Sequence, residues 1–400
     1  MKVLQINTVY AKGSTGKIAK GIHDICKANG DECITGHRFA DDKNAVTEDA
    51  IAISSWWDCH IHNRLVKYTR RQGCYSYFKT KRFLKKIDKF SPDVIHLHNL
   101  HGSYINLPLL FRYIKKHNIK TVWTLHDCWA LTGQCPHFTV AGCDKWKTEC
   151  DHCPQFKALL GDPIRKMHAL KKKWFCGIND LTIVTPSQWL ASLVKQSFLK
   201  DYPTVVINNG IDLNVFSPTE NDFREKHEIP AEKKILLGVS FGWGIKKGLD
   251  VFIELYHRLN KEKYQIVLVG TNEANDQILP DGIISIHRTN NQRELAEIYS
   301  AADILINPTR EDTFPTVNIE ALACGTPVLT FRTGGSPECI DETCGSVVDC
   351  DDIDAMEKEI ERVCTEHPFS ADACLARAKS FNMYERFEEY TALYRKVSEK

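Results

Sequence analysis

Asn307-Pro-Thr-Arg-Glu-Asp312-Thr-Phe-Pro-Thr-Val-Asn-Ile-Glu320-Ala-Leu-Ala-Cys-Gly325-Thr-Pro-Val-Leu-Thr-Phe-Arg-Thr-Gly334-Gly335-Ser-Pro-Glu338 is the stretch that decides how this 400-residue chain is read. The apolar run Asp303–Ile306 predicts a strand, followed by a loop carrying Arg310, Glu311 and Asp312. Phe314-Pro315 then opens a predicted helix over 316–324; proline suits a first turn, where its missing N–H has no partner to lose. The backbone N–H groups of such a start, Thr316 and Val317 included, make an anion site suited to a diphosphate. Asp312 sits just before the helix and Glu320 inside it. Carboxylates accept hydrogen bonds, which a hydroxyl-rich ligand such as ribose or hexose needs. Cys324-Gly325-Thr326-Pro327 stops the helix and leads into a strand, and the backbone of Gly334-Gly335 can approach the same ligand closely. A pair of carboxylates alone would only cap and solvate a helix; the whole string is far more specific.

Outward from this segment, short apolar strands alternate with helical stretches. In the first half the pattern predicts strands Lys2–Asn7, Asp93–Leu97, Lys120–Leu125 and Leu181–Thr185. It predicts helices from about Gly16 to Asn29 and over Leu107–His117. The rhythm restarts near residue 205, with strands Lys234–Ser240, Tyr264–Val269, Ile283–Ile286 and Pro327–Thr330 and helices Gly248–Leu259 and Gln292–Ala301. Strands separated by helices imply parallel sheets of βαβ units. The fold class is therefore α/β, with two Rossmann-like doubly wound domains: 1–205, with a Cys-rich insertion at 128–154, and 206–380. The segment 381–400 is read as a C-terminal helix.

The 307–338 segment resembles the signature of family 4 retaining glycosyltransferases, the group 1 glycosyl transferases: Glu, seven residues, Glu, Ala-x-Ala-x-Gly-x-Pro-Val, then Gly-Gly-x-x-Glu. The carboxylate in register with Glu320 is Asp312, where the family has Glu; Glu311 is one residue too far and stays a second candidate. The resemblance implies a GT-B fold, two domains facing across a cleft, with acceptor on the first, donor nucleotide on the second, and the C-terminal helix crossing back to the first. It implies that Asp312 contacts donor-sugar hydroxyls and Glu320 the ribose, with Arg310, Glu311, Phe314, Pro315, Thr316, Val317 and Gly335 around the donor. Lys247, in Lys246-Lys247-Gly248, matches the family's Lys-Gly, which sets an ammonium on the donor diphosphate and neutralises charge on the leaving nucleotide. The family's Arg six residues earlier is here Phe241, so the second cation falls to Lys246 or Arg310.

Other motifs take their place around this reading. Gly13-Ser14-Thr15-Gly16-Lys17 is not a phosphate-binding P-loop: position 11 is Ala and position 18 Ile, where Gly and Ser or Thr are required. It resembles the family's first glycine loop, with Gly13 and Ser14 on the acceptor side and Gly16 by the donor phosphates. His126, after strand Lys120–Leu125, matches the family's His; Asp127 and His98 are placed on the acceptor side with it. His96 and His98 share a strand face, and burial against a helix outweighs two-ligand metal binding. Asp349-Cys350-Asp351 reads as helix N-terminal charge rather than a metal motif. No cofactor is expected for catalysis.

Cys135, Cys143, Cys150 and Cys153 admit three readings: a structural zinc ion, unpaired thiols, or disulfides. The segment from Trp123 to Pro154 resembles the colanic-acid exopolysaccharide subgroup of the family. Net charge is +1, but residues 1–205 hold 31 basic and 17 acidic residues, giving +14 there and −13 in the remainder. The basic runs Arg64–Lys89 and Arg165–Phe175, the latter ending at Trp174 and Phe175, suit an anionic membrane surface; no nucleic-acid module is present and no nucleic-acid partner is expected. No apolar run approaches the ~20 residues of a membrane span, and the first residues do not form a signal peptide. A cytoplasmic location, peripheral at the inner face of the membrane, is expected. The function expected is transfer of a hexose-type sugar from a nucleotide-diphosphate sugar to a lipid-linked glycan, with retention, in capsule, exopolysaccharide or O-antigen-type biosynthesis. The rivals are a nucleotide-sugar epimerase of related fold and a non-catalytic glycan- or membrane-binding protein.

Overall fold

A computed structural model of the chain describes residues 1–39, 49–156 and 161–399. Lys400 and the two internal gaps, which fall within the expected first and last segments, lie outside the described residues. The chain divides into two compact units, Met1–Asn208 with Tyr384–Lys400, and Asn209–Met383.

The first unit is built on strands β1 (Lys2–Ile6), β2 (Glu32–His37), β3 (Ala50–Ala52), β4 (Val94–Leu97), β5 (Lys120–Thr124), β6 (Leu181–Thr185) and β7 (Thr204–Val206). They form one sheet in the order β3-β2-β1-β4-β5-β6-β7, every pair parallel. The second unit carries β8 (Lys234–Val239), β9 (Tyr264–Val269), β10 (Ile284–Ile286), β11 (Ile304–Asn307), β12 (Val328–Phe331) and β13 (Gly345–Val348). Its order is β10-β9-β8-β11-β12-β13, again all parallel. Both are doubly wound Rossmann-like sheets.

Period-2 alternation explains why this second sheet is covered on both faces. Ile235, Leu237, Val267, Val269 and Leu305 enter one apolar cluster, while Leu236, Ile266, Leu268, Ile304 and Ile306 enter another. β11 begins one residue later than expected, at Ile304; the Asp303 carboxylate before it takes Arg224 and Lys234 and accepts the Ile235 N–H. The first helix, Gly13–Ala28, starts three residues before the expected Gly16.

The final helix, Met383–Ser398, packs on the first unit's own elements. Gly21 leaves room for it: a Cβ there would stand 2.1 Å from the Phe387 ring. Tyr394 hydroxyl meets His96 Nδ1, and the Tyr390 ring stacks on the same imidazole.

The run Arg165–Phe175 does not present the aromatic surface expected of it. In helix Pro163–Phe175, Lys171 and Phe175 are four residues apart and both face inward, fully buried; Trp174 is half-buried against the core. Among the described residues no helix is long and apolar enough to cross a membrane.

Candidate functional site

Each sheet reverses its strand order once, between β1 and β4 and between β8 and β11. The crevice beyond the carboxyl ends of the strands at such a reversal is where open α/β sheets take ligands.

In the second unit, the loops after β8 and β11 meet at this point. Lys247 Nζ lies 2.6 Å from Asp312 Oδ2 and donates to Thr309 Oγ1 at 3.5 Å. The neighbouring pair repeats the contact: Lys246 Nζ is 2.6 Å from Glu311 Oε2. The Glu311 side chain is only 2% exposed against 22% for Asp312, so Asp312 is the carboxylate a ligand can reach. Asp312 Oδ1 accepts the Phe314 N–H at 3.2 Å, and its backbone oxygen accepts the Gly335 N–H at 3.2 Å. The loops press together at Gly248, φ +74°, where a Cβ would stand 2.5 Å from Pro308 O.

Arg310 holds the loop rather than standing free. Its guanidinium binds both Asp250 oxygens, at 2.9 and 2.8 Å, and Asp351 at 2.7 Å, and donates to Ile245 O. Asp250 first, and Asp351 with it, hold its pKa above the ordinary value against the opposing effect of burial. Phe241, where the family has a cation, is 99% exposed. Asp349 pairs with Arg332 and Asp351 with Arg310, just before the helix Ile353–Glu366, whose cap is Asp352: its side chain accepts the Ala355 N–H.

Helix Thr316–Ala323 follows Pro315, whose backbone is extended, and no side chain caps its first turn. Glu320 is half-buried within it and accepts a 3.0 Å hydrogen bond from the buried Tyr299 hydroxyl. Burial first, then the Glu320 charge, keeps that hydroxyl protonated. A buried polar network steadies the site: Asn307 Nδ2 donates to Asn318 Oδ1 at 2.7 Å, Asn318 Nδ2 to Ser336 Oγ at 3.0 Å, and Ser336 Oγ meets Thr330 Oγ1 at 2.6 Å. It joins β11, the helix, β12 and the Gly334-Gly335 turn. Sequence reading missed Asn318, Ser336 and Tyr299; a second polar side chain two residues before Glu320 in a mostly apolar helix, as Asn318 is, was the available signal.

In the first unit, Gly13 and Ser14 are exposed at the start of the helix after β1, with Gly16 buried in its first turn. Beyond β4 and β5, His98 Nδ1 lies 3.1 Å from His126 Nε2, the rings stacked at 5.4 Å. His98 Nε2 meets Gln5 Oε1 at 2.9 Å. Asp127 Oδ2 meets His101 Nε2 at 2.9 Å and Oδ1 accepts the Trp129 N–H at 2.8 Å. Burial raises the Asp127 carboxyl, but the His101 contact and that N–H outweigh it and leave the group lowered. Burial pushes His126 down to about 4, and His96 and His98 well below their usual value, so all three are neutral near pH 7.

The cysteine segment packs as thiols. Cys135 and Cys150 are buried, Cys143 and Cys153 partly so, and none is in a disulfide. Among the described residues no group of three or more His, Cys, Asp or Glu side chains is placed to hold a metal ion, so the zinc reading draws no support from this geometry. Instead the fully buried Lys171 anchors the segment: Nζ donates to Trp129 O at 2.6 Å and Thr132 O at 3.0 Å and sits over the Trp129 ring.

Two doubly wound units, the second with a lysine–carboxylate pair and an uncapped helix start at its reversal point, define a protein of the GT-B class. Comparison with known proteins makes this particular. Residues 219–381 match the glycosyl transferases group 1 model and residues 39–215 the Glycosyltransferase Family 4 model. The chain belongs to this glycosyltransferase family. It is 26% identical over 273 residues to an Escherichia coli protein named as a colanic acid biosynthesis glycosyl transferase, WcaC, a match spanning 66% of this chain and 65% of that relative. Its fold resembles the sucrose-phosphate synthase of Thermosynechococcus elongatus (TM-score 0.74, 18% identity, 99% and 98% of the two chains). It also resembles Anabaena Alr3699/HepE, solved in complex with UDP-glucose (TM-score 0.67, 15% identity, 98% and 99%).

Proposed function

We propose that the chain transfers a hexose-type sugar from a nucleoside-diphosphate sugar to a growing, lipid-diphosphate-linked glycan, with retention at the anomeric carbon. The setting is exopolysaccharide, capsule or O-antigen-type biosynthesis at the inner face of a membrane, with no metal or organic cofactor. The observation that carries the reading is the Lys247–Asp312 contact at the reversal point of the second sheet, beside the uncapped start of helix Thr316–Ala323. An ammonium and free N–H groups suit a diphosphate, and the accessible carboxylate suits sugar hydroxyls. The bound sugar nucleotide of the HepE structure and the naming of the WcaC relative support the same class.

In this reaction the anomeric C–O bond to the diphosphate breaks, a C–O bond to the acceptor oxygen forms, and the acceptor hydroxyl proton leaves. Lys247 neutralises the charge that grows on the departing diphosphate. Asp312 holds donor-sugar hydroxyls and Glu320 the ribose. The first unit, with Gly13, Ser14, His98, His126 and Asp127, takes the acceptor; neutral His126 offers a hydrogen-bonding group and no charge.

Thermal-shift titration with nucleoside diphosphates and their sugar conjugates tests the donor site: the wild type is expected to be stabilised and Lys247→Met to respond at least ~10-fold more weakly. With donor and acceptor supplied, Lys247→Met should lower turnover by about 10²–10³, the cost of removing one preorganised charge-stabilising group. No shift with any nucleotide would overturn the reading, and sugar isomerisation from donor alone would replace it with an epimerase.

A further inference from the structure

The chain exposes a concentrated aromatic and aliphatic face that neither core uses. Of thirteen large apolar side chains exposed among the described residues, seven fall between positions 56 and 78: Trp56, Trp57, Ile61, Leu65, Tyr68, Tyr77 and Phe78. Singly exposed apolar residues are ordinary, but a contiguous group marks a surface with a partner.

The helix Trp56–Thr69 is responsible. Its buried residues are Cys59, His62 and Val66. Trp57, Ile61, Leu65 and Tyr68 recur four, four and three residues apart, within an arc of roughly 80° on the opposite side. They are 72%, 60%, 39% and 81% exposed. The helix therefore has two apolar stripes, one spent on the core and one pointing outward. The next helix, Tyr77–Phe90, adds Phe78 at 83% exposure. The junction is fixed: Ser76 Oγ donates to Asp58 Oδ2 at 2.6 Å and meets His62 Nδ1 at 2.8 Å, and Thr69 Oγ1 meets the Tyr75 hydroxyl at 2.7 Å.

Charge decides what the face fits. Residues 56–90 contain ten Lys and Arg against Asp58 and Asp88, a net +8. Arg64, Lys67, Arg71, Lys81, Arg82, Lys85 and Lys86 are exposed on the same two helices and the turn between them. A second copy of this face would repel the first. A convex helix surface of indole, phenol and branched aliphatic groups ringed by cations matches the interfacial zone of an anionic bilayer, where aromatic side chains enter the headgroup layer and cations meet lipid phosphates.

We propose that helix Trp56–Thr69 and the start of helix Tyr77–Phe90 form the membrane-docking face of the first unit, seated on anionic lipid. The inference deepens the reading of a membrane-borne acceptor and rests on it for its purpose, but its test does not require transfer activity. The full chain is sedimented with vesicles of neutral phosphatidylcholine, or of the same lipid with about 30 mol % phosphatidylglycerol. Two variants are compared: Trp57→Ser/Tyr68→Ser/Phe78→Ser, whose three positions are at least 72% exposed, and Arg64→Gln/Lys81→Gln/Arg82→Gln. The wild type is expected to bind anionic vesicles at least ~10-fold more tightly than neutral ones, and each variant to lose most of that binding. Brominated acyl chains should quench Trp57 in the wild type. Both variants should keep the wild-type melting temperature and nucleotide-induced shift, which separates failure of this face from failure of the donor site. Undiminished vesicle binding by the serine variant would overturn the proposal. So would a self-association lost in that variant, or binding to single-stranded nucleic acid that depends on the same aromatics.

Discussion

The Gln5 amide donates to Ala19 O at 2.9 Å, which turns its oxygen toward His98 Nε2 at 2.9 Å. An acceptor at that nitrogen makes His98 the Nε2–H tautomer, so its Nδ1 accepts from His126 Nε2–H. A buried amide on β1, two strands across the sheet from β5, thus sets which nitrogen of His126 carries the proton, as outer partners commonly set imidazole tautomers. Gln5→Leu is expected to mix the His126 tautomers, visible in ¹⁵N shifts, and to lower turnover by roughly 10-fold. Gln5→Glu, which keeps an acceptor oxygen, should restore the ¹⁵N pattern. Unchanged shifts in Gln5→Leu would remove Gln5 from this role.

Among elements, the turn after β12 governs the donor loop. Gly334 has φ +55°, and a Cβ there would fall 1.8 Å from Asp312 O. Gly334→Ala must therefore push the Asp312 loop away, on top of the strain of a left-handed alanine. A loss of about 2–4 kcal/mol in chemical denaturation is expected, with nucleotide-induced stabilisation falling further than Gly13→Ala would cause, since nothing lies within 4 Å of a Cβ at Gly13. Arg310 is the second control at this scale. Its planar fork joins Asp250 at the start of helix Leu249–Arg258 to Asp351 beyond β13. A lysine ammonium cannot reproduce the two-nitrogen fork on Asp250 while also reaching Asp351 from a separate nitrogen. Arg310→Lys should behave like Arg310→Ala, raising KM for the donor several-fold with a smaller change in kcat; full rescue by lysine would show that charge alone matters.

Across the whole molecule, the histidine-linked part of the acid sensitivity, between about pH 7 and 5, falls in one unit. His23, His62, His96, His98, His126 and His168, all in the first unit, have pKa values lowered chiefly by burial. Below the ordinary value near 6.5 the unfolded chain takes up protons that the folded unit refuses. Stability is therefore full above that pH and falls as pH drops toward the folded values. For His62, at about 4, the loss is on the order of 2 kcal/mol at pH 5. Hydrogen exchange between pH 7.5 and 5 should show first-unit peptides losing protection before those of the second unit. Equal loss in both would reject the assignment.

The elements were legible where apolar period and turn chemistry agree. Helices Leu107–His117 and Gln292–Ala301 and strands Leu181–Thr185 and Tyr264–Val269 fall at the residues the pattern predicts. β2 was not legible, because Thr35, Gly36 and His37 interrupt its apolar run and are buried by partners far along the chain; Gly36 sits under Phe83. The strand–helix alternation along both halves carried the fold class, and the 307–338 segment carried the family through its resemblance to the glycosyltransferase signature, because turns, a helix start and carboxylate spacing are local in sequence. Tertiary structure alone decided that Asp312 rather than Glu311 is reachable, that Arg310 is bound by two carboxylates, and that Phe175 is core while Trp57 and Phe78 are surface. Those outcomes turn on which face of an element meets a neighbour, and a neighbour is supplied by the fold and not by adjacent residues.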